Sequence, residues 1–183
     1  PNKIGNTPNQ YGVRLPMRPS RLRTHLGLRV MQAKIRLKGT SALFKRATSI
    51  APRRLAAMRI IGAVGGTMTR FDSYLVSLIS CWVIGSNLRY GYIARPEYSL
   101  SAFAAWIQVI LGDSNSAKRL ARIAEDLGRQ PENLIERPRL KMQISAILNP
   151  FWMPRRTALA PLSSVTESFY EVGDVEFAHY ARF

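Results

Sequence analysis

Residues Ser99–Gly128, SLSAFAAWIQVILGDSNSAKRLARIAEDLG, decide the fold. Leu100, Phe103, Ala104, Ile107 and Leu111 recur at the spacing that places apolar side chains on one face of a helix. Ala117, Leu120, Ala121, Ala124 and Leu127 form a second such stripe, with Lys118, Arg119, Arg122, Glu125 and Asp126 on the other side. Between the stripes, Gly112 suits a left-handed helix end and Asp113 suits an N-cap. The stretch is an antiparallel helical hairpin. Trp106, Val109 and Ile110 make its first helix apolar nearly all round, so that helix is expected between neighbours and the second on the outside.

The same turn returns at Gly173-Asp174, 61 residues on, followed by Phe177, Ala178 and Ala181 at inward positions. Two helical hairpins of tetratricopeptide type span about that length, at roughly 34 residues each. The expected fold is therefore all-α: stacked antiparallel helical hairpins, a tetratricopeptide-like α-solenoid, over 53–183, preceded by a basic arm over 1–52 that docks outside the core. An irregular helical domain using one common turn twice fits the spacing as well.

Charge divides the chain. Residues 1–60 hold 14 of the 27 Lys and Arg and no acid, whereas the rest holds 13 basic against 11 acidic residues, a net of +2. A near-neutral helical body thus carries a strongly basic arm. Within the arm, prolines at 1, 8, 16 and 19 imply extended or looped backbone. From Ser20 onward, Leu22, His25, Leu26, Val30 and Ile35 alternate with cations in the pattern of a basic amphipathic helix, interrupted at Gly27; RVMQAKIRLKG also reads as a strand. TSALFKRATSIAPRR follows as a short helix or turn.

Leu55, Met58, Ile61 and Val64 predict a helix from Arg53 that frays at Gly65-Gly66. Its GAVGGT string lacks the GK[ST] of a phosphate-binding loop and the G-x-G-x-x-G of a dinucleotide fold. Asp72 is expected to cap a long buried helix marked by Tyr74, Leu75, Leu78, Ile79 and Trp82. Its uncharged run, Ser73 to Leu88, falls short of the roughly 20 residues a membrane span needs. The alternative is a membrane hairpin bracketed by Arg70 and Arg89. Downstream, GRQPENLIERP is a link, Pro138 opens a helix with Leu140, Ile144, Ile147 and Leu148 inside, and Phe151 and Trp152 are expected to plug the corner NPFWMP. Pro161 starts a helix lined by Leu162, Val165, Thr166, Phe169 and Val172, and the last helix ends with an uncapped apolar flank.

With those residues in view, Arg53 to Phe183 resembles the tetratricopeptide-like helical region of large hybrid sensor kinases and related predicted signalling ATPases. The strings that carry it are RRLAAMRII, NLRYG, LSAFAAWIQVILGD with ARIAEDL, and LSSVTESFYEVGDVEFAHYA. The resemblance implies an interaction and signal-relay scaffold, with kinase and nucleotide chemistry in other modules. This chain adds a YIARPEY loop and the acid-free arm.

No catalytic constellation is legible. His25 and His179 are isolated, Cys81 lacks an activating neighbour, and no Cys, His or acidic cluster has metal-ligand spacing. No enzyme activity, cofactor, metal or small-molecule substrate is expected. Glu125, Asp126, Glu132 and Glu136 read as solvated charges, and the single cysteine fits a reducing compartment. The arm offers the one candidate site: Arg14, Arg18, Arg21, Arg23, Arg29, Lys34, Arg36, Lys38, Lys45, Arg46, Arg53 and Arg54, whose cations suit phosphates, anionic headgroups or an acidic protein surface. An acidic protein groove would bury Leu22, Leu26 and Val30 as well. The expected function is a non-catalytic structural or accessory subunit of a larger assembly, contacting other protein subunits through its hairpins and anchored by its arm, with RNA or an anionic membrane surface as further partners. A signalling relay module and a ribosomal RNA-binding component are the alternatives. The Arg-rich start without Met leads to the expectation that a presequence has been removed and that the assembly is mitochondrial or otherwise organellar, with the cytoplasm as the alternative location.

Overall fold

The computed structural model describes residues 19–45, 72–91, 96–129 and 136–182, together with 52, 55–57, 60 and 61. Eight α-helices and no strand are present among them. They are α1 Arg21–Lys38, α2 Ser73–Tyr90, α3 Pro96–Trp106, α4 Ser114–Gly128, α5 Arg137–Gln143, α6 Arg155–Leu159, α7 Leu162–Glu171 and α8 Val175–Arg182. A 3₁₀ turn, Ser41–Phe44, follows α1. Wide π-type turns, Ile107–Leu111 and Ile144–Leu148, prolong α3 and α5. The expectations for the first eighteen residues, for the Gly65-Gly66 fray and for the YIARPEY and GRQPENLIERP segments lie largely or wholly outside the described residues.

The α3/α4 hairpin forms as its pattern dictates. Gly112 takes φ 66° and its N–H donates to the Gln108 carbonyl, ending the first helix. A residue with a Cβ is strained there, which is why glycine occupies the turn. Asp113 Oδ1 then accepts the Ser116 N–H at 3.0 Å and starts α4. All five residues of the second stripe are buried, while Lys118, Arg119, Arg122, Glu125 and Asp126 face solvent. The first helix lies between neighbours, touching α2 on one side and α4 and α5 on the others. Val109 is the exception, at 56% exposed.

Asp72 caps α2 by accepting the Leu75 N–H at 2.9 Å. Ten of the 18 residues of α2 are buried around its circumference, so the helix is apolar because it is packed by protein. None of the described helices is long and apolar enough to cross a membrane. The second Gly-Asp turn repeats the first: Gly173 has φ 75°, Asp174 caps α8, and Val165, Phe169, Ala178 and Ala181 form a satellite core.

Several expectations are corrected. Within the arm, α1 does not dock outside the core, because its Leu28, Met31 and Ile35 belong to the same buried cluster as Ile84, Leu100, Phe103 and Leu120. The inward face of α1 is Thr24, Leu28, Met31, Gln32 and Ile35; of the residues expected along its apolar side, only Ile35 is buried. Gly27 does not interrupt α1, which is one continuous helix with Gly27 at its approach to α2, where a Cβ would stand 2.7 Å from Leu78 Cδ2. The region is helical, not a strand. Ile147 is 45% exposed because the π turn inserts an extra residue and shifts the inward register. Phe151 is 54% exposed and plugs nothing, while its neighbour Trp152 packs against the main core and donates Nε1–H to Gln108 Oε1 at 3.0 Å. Val172 ends α7 and is exposed.

Candidate anionic-partner interface on the first helix

The expected basic residues divide three ways. Arg14, Arg18, Arg46, Arg53 and Arg54 lie outside the described residues. Lys45 is exposed after the 3₁₀ turn, and Arg21, Arg23, Arg29, Lys34, Arg36 and Lys38 are all exposed along α1, on either side of its buried face. Ser20 starts that helix by accepting the Arg23 N–H, and no acid interrupts it.

Two of these cations are already engaged. Arg29 donates to Gln32 Oε1 at 3.3 Å and stands 3.6 Å from Asp113 Oδ2. Gln32 Nε2 donates to the same Asp113 oxygen at 3.0 Å, and Arg36 donates to Ser116 Oγ at 3.1 Å. The cap of α4 therefore doubles as a latch for α1. The Ser116 backbone N–H does most to hold the Asp113 carboxyl below the usual carboxylate range, with Ser116 Oγ, Gln32 and Arg29 adding to it against the opposing effect of burial.

Among the described residues, the side chains of Arg21, Arg23, Lys34 and Lys38 make no hydrogen bond or ion pair. Lys34 and Lys38 line an open groove of about 370 Å³ between α1 and α2, together with Met31, Cys81, Trp82, Leu88, Arg89 and Tyr90. Arg89, whose guanidinium lies 5.3 Å from the Tyr90 ring centroid, is a cation that the sequence reading did not connect to this surface. Its signal is its place in the last turn of a buried helix.

The structure also reveals what lies between the cations. Leu22, Leu26, Val30 and Leu37 are 80%, 63%, 44% and 86% exposed, respectively. At about 100° per residue they occupy an arc roughly opposite the buried face of α1. Arg29 and Arg36 flank that arc on one side, Arg23 and Lys34 on the other. Helix α1 is thus apolar on two opposite faces: one packed, one open.

The cysteine and both histidines lie among the described residues. Burial pushes the Cys81 thiol up to about 12, keeping it protonated. His25 and His179 each place Nδ1 on a carbonyl of their own helix, Arg21 at 2.9 Å and Val175 at 2.8 Å, and both are exposed. No group of three or more potential metal ligands occurs among the described residues. No protein-family model, curated protein or solved structure matches the chain.

Proposed function

We propose that the protein is a non-catalytic interaction subunit, a stack of helical hairpins that is held in a larger, organellar assembly through the basic outer surface of α1. The observation that carries this reading is the set of exposed, unpaired cations Arg21, Arg23, Lys34 and Lys38, fixed on a helix that is locked into the core through Leu28, Met31 and Ile35. A flexible basic tail would lose conformational entropy on binding an anion, whereas a docked helix has already lost it. The solenoid reading draws support from the two Gly-Asp turns. Each Asp caps its own helix and is also bound by a side chain from an earlier one, Asp113 by Gln32 and Asp174 by Arg139. Such a repeated joint is what stacked hairpins require. A scaffold role agrees with what the resemblance to helical regions of signalling ATPases implies.

Lysine acetylation footprinting tests the reading. Lys34 and Lys38 should label readily in the purified full chain and be protected in the native assembly. Equal labelling in both would contradict it.

A further inference from the structure

We infer that the outer stripe of α1 is a docking seam for one acidic amphipathic helix of another protein. The inference rests on the reading of α1 as an anchoring surface and specifies the chemistry of its partner.

Phosphates account for the cations but leave Leu22, Leu26, Val30 and Leu37 without a role. A nucleic-acid backbone offers them nothing to bury against, and leucines exposed at 80%, 63% and 86% along one helix represent unrealised apolar contact. The stripe runs from Leu22 to Leu37, about 22 Å at 1.5 Å per residue. It is narrow, about 80° wide at 100° per residue. That is the width of a seam between two helices, whereas a helix lying in a membrane surface presents a broader apolar face. Steps of four, four and seven residues return the stripe to one side of the helix in the manner of a coiled-coil contact.

The flanks define the partner's charge. Arg23 and Lys34 border one side of the stripe uncommitted, whereas Arg29 and Arg36 border the other while reaching back to the cap of α4; in paired helices these positions face the partner's flanking residues. A second copy of α1 would set cations against cations. The chain's own first 60 residues contain no acid to fold back onto the seam. The complementary surface is therefore an external helix with an apolar seam and carboxylates beside it, above all on the side that meets Arg23 and Lys34.

The test is titration of the full chain with three probes: a 21-residue peptide with Leu at its seam and Glu at the flanking positions, its Lys-flanked counterpart, and poly(U). Glu flanks prevent the first peptide from pairing with itself. We expect the Glu peptide to bind and the Lys peptide to fail, with Leu26→Asp weakening the complex roughly tenfold or more and leaving the melting temperature essentially unchanged. Leu37→Ser should act in the same direction, so a folding defect in one variant cannot imitate the effect. If poly(U) binds, is weakened by Arg23→Ala and Lys34→Ala, and ignores Leu26→Asp while the Glu peptide does not bind, the acidic-helix inference falls and the anchoring reading stands. If none of the three binds, the inference falls; the footprint of Lys34 and Lys38 in the native assembly then judges the anchoring reading on its own.

Discussion

Gln32 and Asp113 are joined by a 3.0 Å hydrogen bond across 81 residues of sequence, tying the first helix to the N-cap of the fourth. The bond makes one carboxylate serve both helix initiation and helix docking. Asp113→Ala should therefore lower stability by about 1–3 kcal/mol, the sum expected for a lost cap and a lost partly buried hydrogen bond. Urea unfolding followed by circular dichroism measures this; a loss under about 0.3 kcal/mol would show that Asp113 does not latch the two helices.

The same carboxylate gives stability a defined acid dependence. Its folded-state pKa is depressed, so its contribution is complete above the unfolded value of about 3.9 and is lost as pH falls through the lower folded value. Asp113→Asn retains a capping side chain but not the charge. The difference in melting temperature between wild type and Asp113→Asn should be constant from pH 7 to 5 and shrink toward pH 2.

Arg139 performs the matching task at the second turn. Its Nε donates to Asp174 Oδ2 at 2.6 Å, and its guanidinium lies 4.4 Å from the Phe177 ring centroid. Both groups are mostly buried, so Arg139→Ala should cost about 1.5–3 kcal/mol. Lysine lacks the planar fork, and Arg139→Lys should recover less than half. A double-mutant cycle with Asp174→Asn should give a coupling near 1 kcal/mol.

Gly128 packs where a Cβ would stand 2.5 Å from Leu140 Cδ2. Leu140 is in the core and has nowhere to swing, so Gly128→Ala should destabilise by about 1–3 kcal/mol despite alanine's better helix propensity. At Gly27 the obstructing Leu78 is only partly buried and can move aside. Gly27→Ala should be close to neutral. Thermal melts of the two variants separate these outcomes.

Cys81 is buried and its thiol is pushed up to about 12. Its reaction with a thiol reagent at pH 8 should follow opening of the fold, accelerating with denaturant. Rapid labelling of the folded chain would show that α2 is not packed as described.

The α3/α4 hairpin was legible because a period of 3.6 residues, a glycine and a capping aspartate all pointed to one conformation. The cap at Asp72 and the second Gly-Asp turn were legible for the same reason. The packing of α1 was not. Its two opposite stripes, Leu22/Leu26/Val30 and Leu28/Met31/Ile35, are both apolar, and periodicity alone does not say which of them the body covers. Tertiary hydrogen bonding decides: Gln32 and Arg36 reach Asp113 and Ser116 only when the second stripe faces inward. Register was also lost at Ile147, where the π turn departs from the period that sequence reading assumes. Buried polar pairs such as Ser101 Oγ donating to Gln143 Oε1 at 2.6 Å leave no periodic trace at all. The candidate cations were visible as a charge block; their division into latch residues, Arg29 and Arg36, and uncommitted ones required the neighbouring helix.

Anchoring of the chain in an assembly through the outer surface of α1 requires a partner that its cations hold. Native mass measurement of the full chain recovered from its own cells tests it most directly, comparing wild type with a variant in which Arg21, Arg23, Lys34 and Lys38 are all alanine. Wild type should carry a stoichiometric partner, resistant to nuclease, that the variant loses while keeping its melting temperature. Wild type at monomer mass, or a variant that retains the partner in full, would contradict the anchoring.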